Sequence, residues 1–175
     1  YMEYGKKTGY DVSLNDLDKE EGMAFYGNLG LYAGPLSLSL ERSDYDHYKV
    51  LDRADGKQPL NRPPALVREH IYTLLTRNTH NLNQGDEKGW QLEANLDLGQ
   101  GWAALANASR VENHNRETLF EEVYGHIEQE HVGDWRFRGG FGYQDSEAIM
   151  RQTVVADATW YMSDAMTWAF QAEHQ

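Results

Sequence analysis

Histidine and carboxylate residues, the commonest ligands of divalent metals, are densest between residues 122 and 131, where Glu122, His126, Glu128, Glu130 and His131 fall close together. On a strand, His126, Glu128 and Glu130 share one face while His131 points the other way, so the set converges only across a bulge. The expectation is a polar ladder rather than a metal centre. Asp52-Arg53-Ala54-Asp55-Gly56 opens like a calcium loop but lacks the alternating oxygen ligands and the distal glutamate, and reads as a loop tip. A nucleophile, base and acid can be drawn from Ser109, His114 and Glu112, or around Ser146, yet no glycine-x-serine-x-glycine elbow accompanies them. Glu121 and Glu122 are adjacent and would face opposite sides of a strand, which is wrong for a glycosidase pair. Gly139-Gly140 lies inside an alternating run, where it permits close packing or a bend and does not cradle a phosphate. The absence of cysteine removes disulfides, thiolate metal sites and cysteine nucleophiles together. The sequence therefore predicts no enzyme and no cofactor.

The elements that would position these residues are strands, because the hydrophobic period is 2. Trp90, Leu92, Ala94, Leu96 and Leu98 fall on one face, with Gln91, Glu93, Asn95 and Asp97 opposite. After Gly99-Gln100-Gly101 the pattern resumes with Trp102, Ala104, Ala106 and Ala108, against Asn107 and Ser109. Trp135, Phe137, Gly139, Phe141 and Tyr143 form a third apolar face against Arg136 and Arg138. Val154, Ala156, Ala158, Trp160 and Met162 form a fourth, and Met166, Trp168, Phe170 and Ala172 a fifth across the Ser163-Asp164 connection. Upstream, Phe25 to Leu31 and Leu36 to Leu40 alternate on either side of Ala33-Gly34-Pro35. Weaker strands are expected at Tyr10, Val12 and Leu14 and around Val123 to Glu130, giving nine or ten in consecutive antiparallel hairpins.

The connections are unequal: three are tight, Val111 to Thr118 is longer, and Ser43 to Val67 is long and charged. Ile71 to Arg77 has two readings. His70, Tyr72 and Thr73 favour a strand, toward which the reading leans; Pro63-Pro64 followed by Leu66, Val67, Ile71, Leu74 and Leu75 fits a short helix. If the segment belongs to a loop, all the tight turns share one end.

Composition bounds the partners. The 175 residues carry a formal charge of -12, with 28 acidic against 16 basic side chains. No basic footprint exists for a phosphate backbone, so nucleic acid is not an expected partner. No run approaches the ~18 apolar residues of a spanning helix. A β-barrel needs apolar residues only at alternate positions, so a mean hydropathy of -0.75 is compatible with one. The aromatics decide between a lipid-facing and a core-facing surface. Trp90, Trp102, Trp135, Tyr143, Trp160 and Trp168 stand at or near strand ends on the apolar faces, where a barrel carries its interfacial girdle. Small residues toward the middle (Ala94, Ala104, Ala106, Ala108, Gly139, Ala156, Ala158) suit lipid, whereas a sandwich core would need large side chains opposite them. Glu93, Asn95, Asp97, Arg136, Arg138 and Asp157 would then line a polar lumen.

Asn61-Arg62-Pro63-Pro64-Ala65-Leu66-Val67-Arg68-Glu69-His70-Ile71-Tyr72-Thr73-Leu74, followed by Glu87-Lys88-Gly89 and the strand from Trp90, resembles a family of Bacteroidetes-type outer-membrane β-barrel proteins of unknown function. The resemblance covers about Gly5 to Arg110. Asp86 departs from it, standing where that family has glycine. It implies location and architecture but no activity. The expectation is an all-β fold: an antiparallel up-and-down transmembrane β-barrel, or part of a larger one, in the bacterial outer membrane. Its partners would be outer-membrane lipid and other envelope proteins. Residues 1–175 are expected to be a fragment of a longer chain, because Gln175 falls inside an alternating run and Tyr1 follows no leader. The expected role is a porin-like pore or transport function. The alternatives are a structural or anchoring barrel that binds a partner protein, and a secreted β-sandwich that binds glycans.

Overall fold

Period-2 sequence separated by tight turns folds each strand against the next one in the chain. In the computed structural model, which describes residues 2–10, 19–47, 66, 70–76, 86–146 and 149–175, nine strands form one antiparallel sheet in sequential order. They are β1 (Met2–Tyr10), β2 (Lys19–Ala33), β3 (Leu36–Asp46), β4 (Asp86–Gly99), β5 (Trp102–Glu112), β6 (Thr118–Val132), β7 (Trp135–Ser146), β8 (Ile149–Ser163) and β9 (Met166–His174), with one helical turn, α1 (Thr73–Thr76), between β3 and β4. The all-β, up-and-down expectation holds at this level. Among the described residues β1 and β9 are the two edges and do not pair with each other. The first strand lies earlier than the alternation at Tyr10, Val12 and Leu14 predicts, and Val12 and Leu14 fall outside the described residues.

Residues 71–76, the described part of the segment Ile71 to Arg77, are not a strand, which corrects the reading favoured above. Thr76 donates its backbone N–H to Tyr72 O at 3.1 Å, closing a helical turn, and Tyr72 and Leu75 are buried against the sheet. Burial of Tyr72 and Leu75 on one side of this helical turn overrides the β-propensity of Tyr72 and Thr73. The four tight turns, at Gly34, Gly99 to Gly101, Gly133-Asp134 and Asp164-Ala165, consequently share one end of the sheet.

Register fixes what each face carries. One row crosses the sheet through Gly27, Arg42, Trp90, Arg110, Glu121, Asp145 and Met150. Between that row and the tight turns, the described residues on this face of β2 to β9 include no Asp, Glu, Lys or Arg. The strands are also staggered. From the row, β2 continues 6 residues to its turn at Ala33, whereas β8 continues 13 to its turn at Ser163. Spread over the six strand positions between those hairpins, at ~3.3 Å per residue and ~4.8 Å per strand, this is a tilt of roughly 40°.

Burial is inverted relative to an ordinary sheet. Among the described residues, every buried strand residue lies on the polar face: Ser43, Glu87, Asn107, Ser109, Glu122, Gln144, Thr153 and Thr159, Ala24, Tyr45, Val111, Phe120, Tyr124 and Val155, and the glycines Gly22, Gly89 and Gly142. The apolar face is open. Ile127 is 52 % exposed, Val154 57 % and Phe170 53 %.

Candidate functional site

The sheet curls around its polar face, so that residues of β2 to β7 line one recess of about 510 Å³ near the tight turns, among them Tyr32, Asn95, Asp97, His126, Glu128 and Arg138. The six residues predicted to share a polar face do share it: Glu93, Asn95 and Asp97 on β4, Arg136 and Arg138 on β7, Asp157 on β8. Both arginines face carboxylates. Arg138 donates Nε and Nη2 to Glu128 Oε2 at 3.0 and 2.7 Å, across the β6–β7 register in which the two residues are partners. Arg136 Nη2 lies 4.0 Å from Asp157 Oδ1, and Asn95 Nδ2 donates to Glu93 Oε1 at 2.9 Å. Ionic groups held by partners at these distances tolerate partial burial, which isolated charges do not.

On the other half of the polar face, away from the tight turns, lie the described residues of the β3–β4 connection, Leu66 and 70–76. Leu66 and Leu75, 1 % and 0 % exposed, sit on it at two glycines. A Cβ at Gly89 of β4 would stand 3.1 Å from Leu66 Cδ1, and one at Gly142 of β7 would stand 2.6 Å from Leu75 Cδ2. The missing side chain at Gly142 is the socket for Leu75, while the one at Gly89 admits Leu66 and also the close approach of Arg110 O, 2.7 Å from where that Cβ would stand. Tyr72 and Leu75 pack with Tyr124 and Val155 in the small apolar cluster of this face. Polar ties surround that cluster. His70 Nε2 is 2.9 Å from both oxygens of Glu122, and the His70 ring meets Tyr124 edge-on at 4.6 Å. Gln144 Nε2 donates to Glu122 Oε2 at 2.6 Å and to Leu75 O at 3.0 Å. The Tyr72 hydroxyl donates to Asp157 Oδ2. Glu173 of β9 accepts the N–H groups of Thr73 at 2.9 Å and Leu74 at 2.6 Å, satisfying donors that the start of a helical turn leaves open.

The predicted girdle residues all stand on the apolar face. Trp135, Trp160 and Trp168 are register partners on β7, β8 and β9, with the Trp135 and Trp160 rings stacked at 5.6 Å and 6°. Trp102 joins them near the tight turns, while Trp90 and Tyr143 mark the other border.

The remaining chemical candidates are dispersed. Glu122, His126 and Glu128 share the polar face, but Glu122 is bound to His70 and Gln144, Glu128 to Arg138, and His126 Nδ1 lies 3.1 Å from Tyr124 Oη. No cluster of three metal-binding side chains occurs among the described residues. Ser109 is buried on the polar face, whereas Glu112 lies on the opposite one beside Lys88 and Arg110, and His114 projects from the β5–β6 connection. The three cannot act together. Ser146 Oγ is 3.4 Å from Ile149 O, and Glu121 and Glu122 face opposite sides. Residues 52–56 lie outside the described residues. His114 instead forms a clamp: Nδ1 and the backbone N–H meet Asp86 Oδ1 at 2.5 and 2.8 Å, and Nε2 meets Asp44 Oδ1 at 2.9 Å. Partial burial pulls the His114 pKa down, but hydrogen bonds to Asp86 and Asp44 and the charges of Asp44 and Asp46 outweigh it and raise the value. The same bonds, led by the backbone N–H of His114, lower the pKa of Asp86.

A family model described as "Family of unknown function (DUF6029)" matches residues 1–126. The chain belongs to this family. The DUF6029 match runs from the first residue into β6, ending at His126, and so takes in both leucine-bearing ends of the inserted connection and the Gly89 socket. The Gly142 socket and the Asp157 and Glu173 ties lie beyond it. No curated protein and no solved structure matches the chain significantly. What reading along the chain misses is the insertion itself, since His70, Tyr72 and Leu75 find their partners 52 to 85 residues away. The sockets Gly89 and Gly142 lie on a polar face that also carries Gly22, Gly30 and Gly140, so their glycines alone do not mark them.

Proposed function

We propose that this chain forms the wall of an outer-membrane β-barrel whose polar face encloses a porin-like passage for hydrophilic solutes, with lipid on the apolar face. The inverted burial carries this reading. A contiguous exposed apolar surface of this extent is unusual on a protein surrounded by water, and a charge-free band with tryptophans and a tyrosine at its borders is what hydrocarbon selects. From Trp135 to Tyr143 the band spans eight residue steps of β7, about 26 Å along the strand or ~20 Å once tilted, against the ~25 Å apolar band of outer-membrane barrels. The stagger of roughly 40° lies within the range of membrane barrels. In this reading the recess is wet, its charges need not be fully desolvated, and the protein performs no chemical step. A sandwich that binds glycans would need a second layer over the apolar face, and the described residues supply none.

The inserted connection favours a second reading, an anchoring barrel that holds partner proteins and passes nothing. Reconstitution of the purified full chain into planar bilayers separates the two. Stable conductance steps are expected for the passage, and inserted but silent protein supports the anchor. Recovery of the chain as a soluble monomer without detergent would overturn both.

A further inference from the structure

We infer that the pocket between Arg42, Lys88 and Trp90, on the apolar side of the sheet, binds the anionic phosphate group of a membrane lipid. This rests on the membrane reading and adds a ligand to it. The pocket has a volume of about 290 Å³, and its lining includes Arg42, Lys88, Trp90, Arg110 and Glu112. Arg42, Trp90 and Arg110 are successive register partners on β3, β4 and β5, in the row that borders the charge-free band, and Lys88 stands two residues farther from the band on the same face. With ~4.8 Å between neighbouring strands, the two arginine backbones flank Trp90 at ~10 Å from each other, close enough for long side chains to meet one ligand.

The cations are unequally committed. Arg110 donates Nη2 to Thr118 Oγ1 at 2.9 Å and lies 3.8 Å from both Glu112 and Glu121, so it forms a wall of the pocket. Lys88 Nζ is 3.5 Å from Glu112 Oε1, while Asp44, the register partner of Lys88, is bound to His114. Arg42 is exposed and, among the described residues, has no ion pair and no side-chain hydrogen bond. Three cations thus line the pocket against one carboxylate, Glu112, and the guanidinium without a partner supplies the planar fork that grips phosphate oxygens in pairs. Depth selects the source of the phosphate. A lipid whose chains lie on the charge-free band carries its phosphate at the level of this row, beside a tryptophan whose ring suits the same interface. Basic pockets at that depth recognise anionic head groups.

The full chain is reconstituted into phosphatidylcholine vesicles containing a minor fraction of phosphatidic acid, extracted in mild detergent, and its retained lipids are identified by native mass spectrometry. The parent should keep phosphatidic acid in preference to phosphatidylcholine. Arg42→Gln, which removes no polar contact within the described protein, should lower that retention about tenfold, the loss expected for one charge-assisted contact. Arg151→Gln makes the same change of charge on the polar face and should leave retention unaltered. Retention unaffected by Arg42→Gln in inserted protein would overturn the site and leave the barrel standing. Displacement of the bound lipid by inorganic phosphate at matched ionic strength, as readily as by dihexanoyl phosphatidic acid, would assign the pocket to free phosphate and overturn the lipid. If the parent inserts into no vesicle, the membrane reading fails, and the site with it.

Discussion

Tyr72 donates its hydroxyl to Asp157, a residue 85 positions later, joining the β3–β4 connection to β8. Tyr72 is 1 % exposed, and the Asp157 side chain 11 %, so neither partner has a ready alternative in water. Replacing Tyr72 by Phe keeps the ring and leaves Asp157 facing Arg136 at 4.0 Å and its register partner Arg138, with no hydroxyl donated to it from residue 72. The expected cost is ~1.5–3 kcal/mol, that of a buried hydrogen bond to a charged acceptor. Unfolding by denaturant in detergent measures it, and Tyr32→Phe, at an 83 % exposed site, is the control that should change nothing.

Ala106 lies exposed on the apolar face, in register with Ala94 and Gly125, two strand residues from the charged row on its tight-turn side plus two more. An arginine there costs almost nothing if that face meets water. Facing hydrocarbon, Ala106→Arg should lower folding stability in lipid vesicles by ~2–4 kcal/mol. Arg110→Ala, at the border, should be nearly neutral in the same assay. Equal, negligible effects at the two positions would remove the membrane from the proposed function.

Trp135 and Trp160 stack nearly parallel across β7 and β8. A double-mutant cycle through Trp135→Ala and Trp160→Ala should return a coupling of ~0.5–1.5 kcal/mol. Trp102, which does not share that pair's register row, should show none with Trp160.

The His114 clamp should be strongest in a bounded pH window. His114 has a raised pKa, so its contribution is complete below the ordinary histidine range and is lost as pH rises through the elevated value. Asp86 has a lowered pKa, so its contribution is present above the ordinary carboxylate range and is lost as pH falls through the depressed value. Amide exchange in residues 113–117 should consequently be slowest at mildly acidic pH and faster on either side, once corrected for intrinsic exchange rates. An exchange profile in His114→Ala with the same pH dependence as the parent would refute the clamp.

The strands from Leu36 onward and the identity of their two faces were legible because period 2 is a local property, and Trp90 to Leu98 displays it without interruption. Which side of the sheet carries Glu93, Asn95, Asp97, Arg136, Arg138 and Asp157, and which carries Trp90, Trp102, Trp135, Tyr143, Trp160 and Trp168, followed from that alternation alone. The inserted connection was not legible for a physical reason. Tyr72 and Leu75 are buried by side chains on β6 to β8, and nothing in a seven-residue window distinguishes a tyrosine that will meet Asp157 from one that will pair in a sheet. His114 is a similar case: its partners Asp44 and Asp86 sit on two strands that become neighbours only after the connection between them has closed.

That closure sets an order of assembly. Every strand pairs with its neighbour in sequence, so most hairpins form by joining residues a few positions apart, a rapid process. The pairing of β3 with β4 is different, because residues 47–85 must be looped out before Asp46 meets Asp86. Loop entropy makes this the slowest strand junction, and the burial of Leu66 and Leu75 can offset its cost only if the sockets on β4 and β7 already exist. The meander from β4 to β9 should therefore zip first and serve as the template onto which the earlier hairpins dock. Pulse-labelled hydrogen exchange during refolding would reveal it as protection in β5 to β8 before β3, and simultaneous protection throughout would exclude it.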